Sequence, residues 1–167
     1  MSSHTQKTIK SIINLYGVGL HNGIKANLKV IPADENFGIK FCRTDIDKKD
    51  LIDASYQNVV EPILCTKIKN KNGITVSTVE HLMAAFFGEG VDNALVEIDA
   101  SEVPILDGSA SEFVEAIRST GIREQKELRK YIKVLKKVEI QEEGKYISIE
   151  PLNNDLIVDF EIVYSNP

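Results

Sequence analysis

In "STVEHLMAAFFGEG" (Ser77–Gly90) an acid stands directly before a histidine at the start of a helical pattern. Adjacent on a helix, such a pair lets one water touch both a metal held by the imidazole and a carboxylate that takes its proton. The ligand count argues against a complete site. The chain has three histidines, His4, His21 and His81, whereas a catalytic zinc takes about three protein ligands and leaves a position for water. H-E-x-x-H needs the opposite order, and H-x-x-E-H would require histidine where Ser77 stands. By spacing alone the simpler reading is a capping box, with Ser77 as N-cap and Glu80 reaching back to it, and His81 a polar residue on a partly buried face.

Other candidates are weaker. "YGVGLHNG" has glycines at 17, 19 and 23. It lacks the third glycine of the dinucleotide fingerprint and a helix behind it, so a glycine-rich connection between strands is favoured over a phosphate loop. "DGSASEF" offers Asp107 and Ser109 without a neighbouring histidine, and a helix cap accounts for the serine. Cys65 could be a nucleophile or a metal thiolate, but an inert strand cysteine is the simpler reading. With Cys42 it makes two lone thiols in a chain whose start, "MSSHTQKTIK", has no signal-peptide apolar core. Both are expected to be reduced and independent.

The elements that must position these residues follow from pattern. "TIKSIINL", "KANLKVI", "GIKFCR" and "NALVEID" read as strands, and "CTKIKNKNGITVS" as a hairpin with a type I′ turn at Asn72-Gly73. The opening stretch is a helix stopped at Gly88. On a wheel Val79, Leu82, Met83, Phe86 and Phe87 share one arc, while His81, Ala84 and Ala85 lie opposite. Small residues there, in place of charges, predict a helix covered on both faces. A second helix starts at Ser109-x-x-Glu112 and ends at Gly121. "EQKELRK" (Glu124–Lys130) reads as a linker. Beyond it "YIKVLKKVEI", "KYISIE" and "LIVDFEIVY" read as three further strands. The expected class is α+β: a two-layer sheet-plus-helices domain over residues 1–123, a linker over 124–130, and the opening strands of a second, similar domain over 131–167.

Composition excludes several classes. With 167 residues, 43% of them hydrophobic and 27% charged, the chain can bury a core unaided. A net charge of −5 supplies no basic field for nucleic acid or anionic membrane. No run approaches the roughly 20 apolar residues of a membrane span, and the cytoplasm is the expected compartment.

Taken together and in order, "GVGLHNG", "ILCT", "STVEHLMAA", "GVDNALVEID" and "EVPILDGSASEFV" resemble the N-terminal half of the UDP-3-O-acyl-N-acetylglucosamine deacetylases, zinc enzymes of lipid A biosynthesis in Gram-negative bacteria. The resemblance implies two similar α+β domains stacked helix against helix as a β-α-α-β sandwich, with the active site between them. It implies that His81 is a zinc ligand and Glu80 the general base for a zinc-bound water that attacks the acetamide carbonyl of UDP-3-O-acyl-N-acetylglucosamine. It further implies that His21 and the Ile63-Leu64-Cys65 segment line the substrate site, Cys65 at a position associated with inhibitory binding of excess zinc. The family's remaining zinc ligands, an H-x-x-x-D motif, and its general-acid histidine belong to the second domain. No histidine follows His81 here.

The expectation is therefore a fragment of the enzyme that binds Zn2+ weakly and is inactive alone. The face meant for the missing domain should be an apolar patch prone to self-association. The alternative is a non-catalytic α+β interaction module from a naturally truncated gene; a continuation carrying H-x-x-x-D would separate the two. A third reading, a thiol enzyme using Cys65, requires activity that survives chelators and is abolished by alkylation.

Overall fold

A computed structural model describes residues 4–46, 50–61, 63–153 and 156–163. The chain divides into two units, residues 1–129 and 130–167.

The first unit is built on a five-stranded sheet in the order β2-β3-β8-β4-β5. Its strands are β2 (Ile13–Val18), β3 (Lys25–Pro32), β4 (Ile39–Arg43), β5 (Leu51–Asp53) and β8 (Ala94–Ile98). All neighbours are antiparallel except β4 and β8. Side chains alternate faces along a strand, and one parity is buried: Ala26, Leu28 and Val30 on β3, Ala94, Val96 and Ile98 on β8. Helices α1 (Glu80–Glu89) and α2 (Ser111–Thr120) cover that face, adding Leu82, Ala85, Phe86, Phe113 and Ile117 to one continuous core with Phe41 and Ile52. The fold class is α+β, as expected.

The first strand pattern splits in two. β1 (Thr5–Ile9) and β2 belong to different sheets, since β1 pairs with β9 (Ile122–Leu128). That pairing corrects the linker assigned to Glu124–Lys130. The charged run is a strand to Leu128 because its charges project outward while its backbone closes the edge of β1 and Gln125 turns inward. Arg129 then holds Asp92 at 2.8 Å and the Gly90 carbonyl at 2.5 Å.

A buried polar network joins the two sheets. Asn93, 1% exposed, donates to Gln6 Oε1 (2.9 Å) and Gln125 Oε1 (2.8 Å) and accepts the Gly38 N–H (2.8 Å). The buried Thr8 hydroxyl donates to the Asn93 carbonyl at 2.6 Å. Every amide position of Asn93 is matched, which a network in low dielectric requires.

The small hairpin of β6 (Ile68–Lys69) and β7 (Thr75–Val76) forms, but its turn is not type I′. Gly73 has φ 83° while Asn72 is absent from the left-handed residues. Instead the Gly73 N–H closes on the Asn70 carbonyl and the Asn70 N–H on Ile74, a three-residue loop ending in a left-handed glycine. Asn70 selects it, its Oδ1 accepting both the Asn72 and Ile74 N–H groups.

α1 also differs from expectation. It ends at Gly90, not Gly88; Gly90 has φ 71° and its N–H caps the Phe86 and Phe87 carbonyls. Its buried arc is turned toward Ala85, leaving Phe87 78% exposed. One face is covered within this chain, and Ala84, Phe87 and Gly88 are open.

The second unit contains one antiparallel hairpin, β10 (Val138–Glu142) with β11 (Lys145–Ile149). Glu143 (φ 46°) and Gly144 (φ 78°) form its two-residue turn, the geometry of type I′. Both strands are exposed along their length. "LIVDFEIVY" is not a strand over its described residues 156–163. Among the described residues no helix is long and apolar enough to cross a membrane.

Asn93→Ala removes the donor to Gln125 Oε1 and the acceptor of the Gly38 N–H, and leaves Gln6 Oε1 with the Asn36 N–H alone. It should cost about 2–3 kcal/mol, measured by urea unfolding.

Candidate functional site

The chain enters α1 through a kink that the capping-box reading did not anticipate. Thr78 has φ 56°, a conformation rarely taken by a β-branched residue. The kink turns Ser77 away from the helix. Ser77 bonds Ser101 through both its N–H (3.0 Å) and its hydroxyl (3.2 Å). The helix begins at Glu80 with Val79 as N-cap and no side-chain cap. Glu80 is therefore not committed to capping. Its Oε2 accepts the Thr66 N–H at 2.9 Å, across 14 residues of sequence. The second cap is displaced as well: α2 starts at Ser111, and Ser109 lies in a turn where it donates to Asp107 and accepts the Ser111 N–H.

The Thr66 bond brings the Ile63-Leu64-Cys65 segment beside the start of α1, and the Val79 N–H adds a bond of 3.3 Å to the Thr66 carbonyl. Ile63 and Leu64 are 76% and 87% exposed, and Cys65 is half-buried. Cys42 is buried, and neither cysteine is in a disulfide. On the α1 wheel, at about 100° per residue, Glu80 and His81 project from the side shared by Ala84, Phe87 and Gly88. The pair thus stands at one end of an open apolar face.

His21 lies in the β2–β3 connection. That loop is held by a residue the sequence reading passed over, Glu102, which is 1% exposed. Its carboxylate accepts the His21 N–H (3.0 and 3.2 Å), the Asn22 N–H (3.0 Å) and the Thr78 hydroxyl (2.9 Å). The loop's amides do form an anion nest of the kind that binds phosphate, but the protein's own carboxylate fills it. Gly19 is required for this seat: a Cβ there would stand 2.5 Å from Glu102 Oε2. A Cβ at Gly17 would meet that of Pro104 at 2.9 Å, so this glycine admits the segment following Glu102. The sole sequence cue to Glu102 was an acid at the head of "EVPILDGSASEFV".

Burial works against the charge on Glu102. The His21 and Asn22 N–H groups, the Thr78 hydroxyl and the nearby His21 charge outweigh it and hold the carboxyl below its ordinary range. Asp107 is also lowered, first by the Ser109 N–H and hydroxyl and, more weakly, by the charge of His81. His81 is therefore within electrostatic reach of the loop bearing Asp107. Leu64 (φ 60°) and Leu106 (φ 52°) share the left-handed geometry of Thr78. Backbone strain of this kind gathers where a fold holds functional groups in place.

A shallow groove lined by Asn14, Tyr16, Asn27, Lys29, Glu97 and Asp99 lies on the solvent side of the sheet, remote from α1. Glu80 and His81 are both half-buried. Zinc is the metal implied by the sequence resemblance, and an imidazole is an apt ligand for it. Among the described residues, however, no group of three or more His, Cys, Asp or Glu side chains could hold a metal.

Residues 6–167 match the family described as UDP-3-O-acyl N-acetylglycosamine deacetylase. Curated relatives named UDP-3-O-acyl-N-acetylglucosamine deacetylase include one from Shewanella halifaxensis, 43% identical over 97% of this chain and 53% of its own length. Those from Shewanella woodyi and Shewanella violacea are 41% and 42% identical over 97% and 93% of this chain. The chain spans about half the length of the curated relatives it matches.

Because the folded carboxyl of Glu102 is depressed, its stabilisation is full above the ordinary glutamate range. It is lost as pH falls through that range toward the folded value. Glu102→Gln should cost about 2–3 kcal/mol at neutral pH. Its unfolding midpoint should then fall less steeply than that of the unsubstituted chain between about pH 5 and 3, as read by urea titrations across that interval.

Proposed function

We propose, from the premise that this chain belongs to the UDP-3-O-acyl N-acetylglycosamine deacetylase family, that it forms one side of the hydrolytic site of a deacetylase. The substrate of the whole protein is then UDP-3-O-acyl-N-acetylglucosamine, the molecule in its relatives' names. The observation that carries this reading is the uncapped Glu80 beside His81 on the open face of α1, in a chain of this family. A glutamate held by one backbone N–H on Oε2 keeps Oε1 for a proton.

In this reading a water attacks the acetyl carbonyl and Glu80 takes its proton as general base. The proton taken up by Glu80 is passed on to the leaving nitrogen as the C–N bond breaks, giving acetate and the free amine. A bound zinc ion would polarise the carbonyl and acidify the water. His81 is the residue of this chain proposed to hold it, with the remaining donors supplied from outside the residues described. His21, Ile63, Leu64 and Cys65 are proposed to contact substrate: two exposed apolar side chains suit an acyl group, and an exposed imidazole suits a polar headgroup. Phe87 with Ile63 and Leu64 presents apolar surface to a covering layer in the whole protein.

The test is a pair of substitutions in the whole protein. Glu80→Gln should lower turnover by about 10²–10⁴ with metal content retained, whereas His81→Ala should lose the metal, read by elemental analysis. Retention of turnover in Glu80→Gln would sink the assignment. The 167-residue polypeptide alone should bind zinc weakly and release no acetate, because metal affinity is built from several preorganised ligands. Acetate release from it at ordinary enzyme concentration would contradict this.

A further inference from the structure

We propose that Glu102 is the positioning residue of the candidate site, its buried carboxylate setting the His21 loop and the turn that delivers Glu80 and His81 in register with each other. The geometry stands independently; the consequence for turnover rests on the deacetylase reading.

Three observations converge on this carboxylate. Its donors come from two segments far apart in sequence: His21 and Asn22 from the β2–β3 loop, Thr78 from the entry to α1. Each segment carries a candidate residue at the point of attachment, His21 itself and, two positions past Thr78, Glu80. The seat is also made to measure. Gly19 gives up its side chain to admit Glu102, and Thr78 holds a left-handed backbone while its hydroxyl bonds to Oε1. A buried carboxylate is an expensive way to join two loops; apolar packing would usually serve stability as well or better. Directed hydrogen bonds add register, since an acceptor with fixed lone pairs holds several donors at defined positions. Reaction rates are sensitive to that register, a displacement of about 1 Å costing on the order of 10²-fold.

Glu102→Gln keeps the shape but turns a donor NH2 group toward the N–H groups or the Thr78 hydroxyl. On the 167-residue chain, amide hydrogen exchange at His21 and Asn22 should accelerate about 10–100-fold more than it does there in Asn93→Ala, a variant of comparable global loss, the equivalent of about 1.4–2.8 kcal/mol locally. In the whole protein, kcat should fall about 10²-fold with metal content retained. Thr78→Ser, which preserves the hydroxyl, should keep more turnover than Thr78→Val. Should Glu102→Gln not fold, the Thr78 pair and Gly19→Ala carry the same comparison. Unchanged exchange at His21 and Asn22 overturns the proposal, and so does faster exchange with kcat intact. Absence of deacetylation by the unsubstituted whole protein would sink the functional reading instead, and exchange alone would then decide the positioning role.

Discussion

One buried carboxylate organises the functional end of this domain. Glu102 carries a charge where almost no water reaches it, and such a charge is tolerated only when donors surround it. The donors are backbone N–H groups of one loop and a side-chain hydroxyl of another, so satisfying Glu102 and joining the two segments are the same event. The glycine at position 19 and the left-handed Thr78 follow from that demand. The helix cap is also lost to it. With the Thr78 hydroxyl turned toward Glu102, Ser77 bonds Ser101, and Glu80 is available to the Thr66 N–H.

A second buried polar cluster does comparable work at the opposite end of the sheet. Asn93, Thr8, Gln6 and Gln125 tie the β1–β9 pair to the main sheet through matched amides. Between the two clusters lies a core of aliphatic and aromatic side chains without polar atoms. That division has a physical logic: apolar contacts supply most of the stability and polar ones the register. A strand as charged as Ile122–Leu128 can join such a structure because only its half-buried residues face inward.

Much of the fold was readable. The strands with clean alternation, β3, β4 and β8, and the existence of both helices followed from period and glycine stops, since these patterns are local. Errors fell where a distant partner outweighed the local signal. The Ser77–Glu80 spacing predicted a capping box, but Ser101 and Thr66 compete for the same groups. The Asn72-Gly73 dipeptide suggested one turn, and the Asn70 side chain selected another. "EQKELRK" looked like a linker because its charges are visible in sequence and the open edge of β1 is not. "LIVDFEIVY" had strand composition, and its described residues are not a strand.

The residues themselves determined the α+β class, the two independent thiols, the absence of a basic field and, through five ordered motifs, the family. These depend on residue type and order, and both are complete in a linear string. Tertiary structure alone decided that Glu80 is uncapped, that Glu102 is buried and that the His21 loop is fastened to the start of α1. Each depends on groups 14 to 81 residues apart meeting within hydrogen-bond distance. No periodicity encodes that meeting: the core must first bring the loops together, and only then does a carboxylate at position 102 have three donors to find.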